Sequence, residues 1–271
     1  MHTLVIDTAY GSTVGIVGHE PIREQNSRTH VERLQVDIAA ACAQAGITPQ
    51  DLDRIVVGTG PAPFTGLRAG IVTARAIAFA TGAELLGQDD LEPCAAAMDA
   101  ARRHDPQITT LLPAQATAAI DATATCTPLT LAVNDARRKQ LYFALYSHTS
   151  GAPTTVIPMD IDYPEHIAIR VNHAIRDLQQ HHPGTQYTID IMGHGAHTYT
   201  QHWAALHNPG AILDLTALDL GATGLALFAH LAENRTTAQP VEPLYLRRPD
   251  VSVPNPLKHV LNHAPATKDA A

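Results

Sequence analysis

The stretch IVVGTGPAPFTGLRAG, residues 55–70, combines a β-branched run, a loop rich in glycine and proline, and a helix start. Residues 55–57 predict a buried strand, and a small-residue helix is expected to begin near Thr65 and Gly66. Glycines between a strand and a helix N-terminus let backbone N–H groups approach an anion. The loop is therefore either a phosphate cradle or a tight corner without a ligand.

Composition limits the classes of protein that the stretch can belong to. The 271 residues are 45% hydrophobic and 4% aromatic, and 18 Lys plus Arg face 26 Asp plus Glu for a net charge of −8. This balance lacks the basic footprint and the stacking aromatics of a nucleic-acid binder. If RNA is the final substrate, we expect a partner to hold it.

Cysteine usage and the chain start predict the compartment. Cys42, Cys94 and Cys126 are far apart and form no CxxC pair, which excludes a disulfide framework or a structural zinc site and fits a reducing setting. The first residues enter a strand pattern at once, and no apolar run reaches the roughly 18 residues of a membrane span. We expect a soluble, unprocessed, cytoplasmic protein.

Upstream of the opening stretch the pattern predicts strands and one long helix. Strands are expected at residues 3–8, 12–18 and 22–25, and a helix at residues 29–46. Thr29 and Glu32 form a capping box for that helix, and Gly46 stands where a helix-ending glycine belongs. Downstream, the pattern predicts a strand at 54–58, a helix at 64–81, a short strand, and a helix starting at Asp89 or Asp90.

The same order of elements recurs after residue 128. The predicted strands are LTLAVND (129–135), QLYFALYS (140–147) and TTVIPMDI (154–161), followed by a helix at 164–181, a strand at 187–192, a helix to about residue 206, a strand at 211–215 and a helix at 219–234. Three strands followed by alternating helices and strands, in duplicate, predict an α/β fold. Its two ribonuclease-H-like lobes would have mixed sheets that face a cleft.

Four segments follow from this repeat. The lobes are expected at residues 1–105 and 129–248. Between them, the Ala/Thr-rich stretch 106–128 is predicted to be a linker or loop. The Pro-rich tail 249–271 is predicted to be extended, and disordered at its end.

Four stretches, in order, resemble the bacterial TsaB family, also called YeaZ. They are VIDTAYGSTVGIV, HVERL with IVVGTGPAPFTGLRAGI, DARRKQLYFALY and PLYLRRPD, so the resemblance runs from about residue 3 to 250 with residues 106–128 as extra length. It implies the fold of the actin, Hsp70 and sugar-kinase (ASKHA) superfamily. It also implies a dimerisation partner of TsaD, the metal-dependent subunit that transfers a threonylcarbamoyl group to an adenosine of tRNA, with the ATPase TsaE as third component.

The loop departs from the family pattern. Ala62 and Pro63 stand where the family usually has Gly-Ser after the GP pair. Pro63 removes an N–H donor, and Ala62 is less free than glycine at positive φ. A phosphate cradle at this loop is therefore impoverished.

Two aspartates occupy the places where a kinase of this fold needs carboxylates. Asp7 lies in the first hairpin and Asp135 in its counterpart. DTAYG lacks the close glycines of a phosphate turn and DARRK is bulky and cationic, so a hairpin-turn role is favoured for both aspartates. The candidates for vestigial nucleotide or phosphate loops are Asp7, Thr8, Gly58, Gly60 and Asp135.

No metal site is expected from the histidines. The His-x-x-x-His pair of the transferase is absent, because Leu34 stands four residues after His30. His194 and His197 have helical spacing but lack a third ligand with motif context. We expect no catalytic residue and no cofactor, with ATP or ADP left open only at the interface within a complex.

Two helices carry apolar stripes that predict a partner interface. The stripe residues are His30, Val31, Leu34, Ile38, Ala41 and Ala45 on the first helix, and Leu67, Gly70, Ile71, Ala74 and Ala78 on the second. The first helix also has a second apolar strip, Val36, Ala39, Ala40 and Ala43. A helix that covers one sheet needs a single stripe, so the other strip either meets a partner or is buried in the same domain.

The leading hypothesis is a non-catalytic scaffold subunit that binds a TsaD-like transferase and a TsaE-like ATPase, and contacts tRNA only indirectly. The same patch allows isolated chains to pair as a symmetric dimer. Two alternatives stay open: a nucleotide-binding ATPase or kinase of the same fold, and a metallopeptidase-like protein.

Overall fold

Two five-stranded mixed sheets form the frame of the protein. The computed structural model describes residues 1–24, 30–148, 153–234 and 241–247. The first sheet has the order β3-β2-β1-β4-β5. Its strands are β1 (Thr3–Asp7), β2 (Ser12–Ile16), β3 (Ile22–Glu24), β4 (Arg54–Gly58) and β5 (Glu84–Gln88). β2 runs antiparallel to both β1 and β3. On the other side of β1, β4 pairs with β1 in parallel, and β5 pairs with β4 in parallel.

The second sheet repeats the first strand for strand. Its order is β8-β7-β6-β9-β10, with β6 to β8 antiparallel and with β9 and β10 joined to β6 in parallel. The strands are β6 (Thr127–Asp135), β7 (Leu141–Ser147), β8 (Thr154–Asp162), β9 (Tyr187–Met192) and β10 (Pro209–Leu213). The prediction of an α/β protein with two duplicated ribonuclease-H-like lobes is confirmed.

The helices lie between and beside these strands. They are α1 (His30–Gln44), α2 (Phe64–Thr81), α3 (Glu92–Arg102), α4 (Pro106–Thr109), α5 (Ala114–Ala122), α6 (Pro164–His181), α7 (Thr200–Trp203) and α8 (Gly221–Glu233). Within the described ranges, no helix combines the length and the apolar character that crossing a lipid bilayer requires.

The two halves of the chain exchange a helix. α1 and α2 pack on one face of the first sheet, and α8, from the end of the chain, packs against β1 and β5. α3, from the first half, packs against β6 and β9 of the second sheet. The lobes therefore interlock, and each sheet is completed by a helix from the other half.

A buried ion pair fixes α3 to the second sheet. Arg102 donates two hydrogen bonds to the carboxylate of Asp190 on β9, at 2.7 and 2.6 Å, and its side chain is 8% exposed while that of Asp190 is fully buried. The guanidinium also donates to the Ile120 carbonyl and the Thr123 hydroxyl at the end of α5. One side chain thus joins α3, α5 and β9.

The stretch 106–128 is not the predicted linker or loop. It contains α4 and α5, and β6 begins at Thr127. Asp105 caps α4 by accepting a hydrogen bond from the Gln107 amide at 2.9 Å, and Ala116 and Ile120 of α5 are buried. Alanine is the strongest helix former, so this composition favours a helix once a prolyl residue starts it.

Two helices differ from their predicted bounds, and two predicted features fall outside the described residues. The helix expected up to residue 206 is reduced to α7, with Trp203 buried and its indole N–H donating to the Ala196 carbonyl at 2.8 Å. The helix expected at Asp89 or Asp90 begins at Glu92, with the Asp89 carboxylate accepting from the Leu91 and Glu92 amides. Thr29 and the tail 249–271 lie outside the described residues.

Candidate functional site: a cleft and a helical face

The glycine- and proline-rich loop between β4 and α2 is held by other parts of the fold. The Thr59 amide donates to the Gln88 carbonyl at 2.8 Å, and the Thr59 carbonyl accepts from the Leu244 amide at 2.8 Å. Gly60 has a φ of +90°, which only glycine adopts without strain. Pro61 and Pro63 have no backbone N–H group, so the loop offers few free donors to a phosphate.

The remaining candidates of the first lobe make packing contacts. The Thr8 hydroxyl donates to the Gly66 carbonyl at 2.9 Å, and a Cβ at Gly70 would collide with that hydroxyl. A Cβ at Gly58 would collide with the carboxylate of Asp7. These glycines therefore let α2 and β4 approach β1 closely.

Asp7 and Asp90 form a buried acid pair at the carboxyl ends of the first sheet. Asp7 is 6% exposed and accepts a hydrogen bond from the Ala9 amide at 3.2 Å. Burial raises the pKa of Asp7 to about 6, although hydrogen bonds from Ala9 and Asp90 oppose the rise. Burial, and then the charges of Asp7 and Asp89, raise the pKa of Asp90 well above its usual range. The two carboxyl groups therefore resist being charged at the same time.

Asp135, the counterpart in the second lobe, makes a hairpin turn. Its carboxylate accepts a hydrogen bond from the Arg137 amide at 2.9 Å, as an aspartate in a turn does. Arg137, Arg138 and Lys139 all have φ between 54° and 64°. The turn thus presents long cationic side chains rather than a glycine-lined phosphate site.

Side chains from both lobes meet across the cleft. The Tyr10 ring packs against the His194 ring, with centroids 4.1 Å apart and ring planes inclined by 37°. His194 Nε2 lies 2.8 Å from Asp219 Oδ2, and Arg23 donates to both the carboxylate and the carbonyl of Asp219. Burial works to raise the pKa of Asp219, but hydrogen bonding and attraction from His194, with bonds from Thr216, outweigh it and lower that pKa to about 2.

These contacts leave little room in the cleft. The cavity between Asp7, Asp90, Asn134 and His194 has a volume of about 40 Å³. Sites for small molecules and cofactors usually measure about 300–1,000 Å³. The cavity is therefore much smaller than such sites.

The two candidate histidines do not form a common site. His194 pairs with Asp219, whereas His197 Nε2 lies 3.3 Å from the Ile212 carbonyl. Within residues 1–24, 30–148, 153–234 and 241–247, no three His, Cys, Asp or Glu side chains converge on a metal position.

Segment 241–247 runs from the first lobe to the second. Val241 is buried in the core of the first lobe, and Tyr245 stacks on Phe64 of α2 with centroids 4.5 Å apart. Arg68 Nε donates to the Tyr245 hydroxyl at 2.6 Å. At its far end, Arg247 donates to Gln140 Oε1 at 2.5 Å in the β6–β7 turn. The PLYLR motif therefore fastens α2 to the second lobe.

The helix stripes predicted as a partner interface are mostly core. Seven of those residues are buried against the first sheet: Leu34, Ile38, Ala41, Leu67, Gly70, Ile71 and Ala74. Ala45 and Ala78 are partly buried against the same core, and Val31 is exposed. The side chain of His30 lies outside the described residues. Most of the predicted stripe is therefore part of the core of the first lobe, because the larger side chains are the ones that cover the sheet.

The opposite sides of α1 and α2 are exposed and apolar. We call the set Val36, Ala39, Ala40, Ala43, Val72, Ala76, Phe79 and Ala80 the outer face. Phe79 is 93% exposed, Val72 65% and Val36 62%. α1 and α2 pack side by side, so the two stripes lie on neighbouring helices. The second strip noted in the sequence, on α1, forms half of this outer face.

Sequence reasoning missed most of the cleft residues. Tyr10, Arg23, Asp90 and Asp219 come from four separate segments and meet only in the folded chain. The sequence contains one signal for a role of Asp90 in the cleft: it lies in an acidic pair directly after a predicted strand. We interpreted that pattern as a helix start.

Comparison with known proteins places the fold. Residues 18–123 match a family model described as TsaD, tRNA N6-adenosine threonylcarbamoyltransferase. YeaZ from Pseudomonas aeruginosa superposes with a TM-score of 0.60 and 22% identity, over 90% of this chain and 99% of that one. The duplicated sheets and the cleft between them thus define a two-lobed α/β protein with the fold of YeaZ.

Relatives in sequence include mycobacterial proteins. The uncharacterized proteins Mb3455c of Mycobacterium bovis and Rv3421c of Mycobacterium tuberculosis are each 34% identical over 185 residues, 61% of this chain and 74% of the relative. A tRNA N6-adenosine threonylcarbamoyltransferase of Ruegeria pomeroyi is 33% identical over 86 residues, which is 21% of that protein. The chain belongs to the family of these mycobacterial proteins, and its fold is that of YeaZ.

Proposed function

We propose that this chain is a non-catalytic scaffold subunit of the machinery that threonylcarbamoylates adenosine in tRNA. In this role it docks a TsaD-like transferase through the outer face of α1 and α2 and works with a TsaE-like ATPase. The observation that carries the proposal is the exposed apolar outer face, above all Phe79 at 93% exposure.

The chemistry of the outer face fits a helical partner. On each helix the apolar residues recur at spacings of four and three, as Val36, Ala40, Ala43 and as Val72, Ala76, Phe79. Alanines let a partner helix approach closely, while an exposed aromatic ring is the type of side chain that anchors an interface. A contiguous exposed apolar patch on a folded domain is typical of a protein interaction site.

The cleft supports the non-catalytic part of the proposal. Its roughly 40 Å³ cavity is much smaller than the usual site for a small molecule or cofactor, and the Tyr10 and His194 rings pack against each other across it. A kinase or ATPase of this fold needs room for phosphates and accessible carboxylates. We propose that any ATP or ADP binds at the interface within the complex and not in this cleft.

The proposal also includes location and contact with RNA. The net charge of −8 disfavours direct binding of tRNA, so the transferase would hold the nucleic acid. The chain would act in the cytoplasm, and isolated chains would pair through the same outer face.

Reconstitution tests the proposal. The full chain is mixed with the TsaD and TsaE counterparts from the same cell, tRNA and ATP, and modified adenosine is quantified by mass spectrometry. We expect modification to depend on the chain and to be lost in Phe79→Asp, because a charge at a packed interface is costly.

The control is Ile169→Asp on α6, which is exposed to a similar degree as Val36, at 61%, but lies outside the outer face. This variant should support modification as the wild type does. Equal modification with and without the chain would overturn the proposal.

A further inference from the structure

Buried polar atoms without a hydrogen-bond partner are concentrated in the cleft. Among the described residues, seven side-chain atoms are of this kind. Five of them belong to residues that line the small cleft cavity: Ser12 Oγ, Asp90 Oδ1, Asp90 Oδ2, Asn134 Oδ1 and His194 Nδ1. Native proteins leave few buried polar groups unsatisfied, so such a cluster indicates a bound species that satisfies them.

The chemistry of these atoms selects the bound species. Four of the five are oxygens, and the carboxylate of Asp7 lines the same cavity. Ser12 is 2% exposed and Asn134 3%, so neither can turn its oxygen toward bulk water. Asp219 and Glu24 also line the cavity, with Arg23 as the cationic side chain among them. An anion would be repelled here, whereas a cation would be attracted.

We propose that the cleft binds a hard divalent cation of the Mg²⁺ class, without a nucleotide, through the oxygens of Asp7, Asp90, Ser12 and Asn134. Two carboxylates, an amide oxygen, a hydroxyl and a few waters make up the donor set that such cations take. The cavity of about 40 Å³ has room for an ion with one or two waters. With two carboxylates and no thiolate, the set disfavours soft transition metals.

The position of the cation gives it a structural role. Asp7, Ser12 and Asp90 belong to the first half of the chain, whereas Asn134 lies on β6 of the second sheet. A cation bound by all four would tie the two lobes together at the cleft. This inference is independent of the docking function, because the outer face of α1 and α2 is not part of the cavity.

Calorimetry and thermal unfolding of the full chain test the proposal. Protein stripped with EDTA is titrated with MgCl₂ or CaCl₂ at about pH 7.5, with NaCl of equal ionic strength as reference. We expect a dissociation constant of about 10⁻⁴ to 10⁻³ M. At a cation concentration of about ten times that constant, the Tm should rise by roughly 2–5 °C.

Variants assign the effect to the cleft. Asp90→Asn should abolish the cation response and, without cation, melt at the wild-type temperature or higher, because a buried carboxyl group is neutralised. Asn134→Asp should tighten binding about tenfold by adding a carboxylate from the other lobe. The exposed Asp121→Asn, whose parent side chain is 57% exposed, should respond as the wild type does.

Two results would overturn the proposal. One is a Tm that changes no more with MgCl₂ or CaCl₂ than with NaCl. The other is a response that survives in Asp90→Asn, which would place the cation elsewhere. If Asp90→Asn does not fold, a failure of Asn134→Asp to strengthen binding decides against the site.

Discussion

At the scale of single residues, the protein buries charge in two ways. Arg102 and Asp190 satisfy one another with two short hydrogen bonds, so the pair is neutral and its geometry is fixed. Asp7 and Asp90 are buried beside each other; burial raises the pKa of both, and the charge of Asp7 raises that of Asp90 further. Loss of one partner of the first pair would leave the other charge buried and uncompensated, whereas the second arrangement is expected to cost stability at neutral pH.

Neighbouring arginines provide a matched test of the buried pair. Arg102→Met leaves the fully buried Asp190 carboxylate without its partner, so we expect a loss of about 3–5 kcal/mol in the free energy of unfolding. Arg103→Met removes an ion pair with Asp99 whose arginine side chain is 57% exposed, and should cost about 0–1 kcal/mol. Urea unfolding measures both, and equal losses would contradict a structural role for Arg102.

Asp7→Asn should reveal how much unfolding free energy the ionised, buried Asp7 carboxylate costs. The folded pKa of about 6 exceeds the ordinary value of 3.8, so between these values the folded state binds more protons than the unfolded state. Unfolding free energy of the wild type therefore falls as pH rises from about 4 to about 6, and stays low above that range. Asp7→Asn should remove this pH-dependent fall in unfolding free energy, because an asparagine side chain does not ionise.

The measurement is urea unfolding at several pH values in the presence of EDTA. The advantage of Asp7→Asn over the wild type should be near zero at about pH 4 and grow to at most about 3 kcal/mol above pH 6. Asp121→Asn should show no such pH-dependent gain. An advantage of Asp7→Asn that is constant with pH would contradict a raised pKa at Asp7.

At the scale of elements, the strands and the long helices could be predicted from the sequence, because their apolar periods and caps are local. α6 begins and ends where the pattern predicts, at Pro164 and His181. The spacing of apolar residues alone could not show which of the two faces of α1 is buried against the sheet, since both faces are apolar. Side-chain size was the signal that distinguishes them: Leu34 and Ile38 cover the sheet, whereas Val36 and alanines remain outside.

Two substitutions on α1, two residues apart, test this assignment. Ile38 is 5% exposed and Val36 is 62% exposed. Ile38→Asp buries an unpaired charge and should unfold the first lobe or cost more than about 3 kcal/mol. Val36→Asp should change stability by less than about 0.5 kcal/mol, as surface substitutions usually do. Thermal unfolding by circular dichroism compares them, and equal destabilisation would show that both faces are core.

The stretch 106–128 shows why composition alone misled the assignment of elements. Alternating Ala and Thr between prolines resembles low-complexity sequence, but Ala116 and Ile120 lie one turn apart and are both buried. Arg102, which contacts the end of α5, comes from another segment. That contact depends on tertiary structure and could not be predicted from local pattern.

At the scale of the whole molecule, two duplicated sheets exchange α3 and α8 and close a small cleft between them. The cleft contacts could not be predicted, because Tyr10, Asp90, Asn134 and Asp219 come from distant parts of the chain. The two-lobed α/β architecture could be predicted, because each half repeats the same sequence of strand and helix patterns. The chain thus presents a narrow, acid-lined cleft on one part of its surface and an apolar helical face on another.

The outer face of α1 and α2 is the proposed docking site for a transferase partner. Its most direct test is titration calorimetry of the full chain into the purified TsaD counterpart from the same cell. We predict saturable binding that Phe79→Asp weakens at least about 30-fold, as loss of a 2 kcal/mol anchor would, while Ile169→Asp binds like the wild type. Absence of binding by the wild type, or equal affinity of Phe79→Asp and the wild type, would contradict the claim.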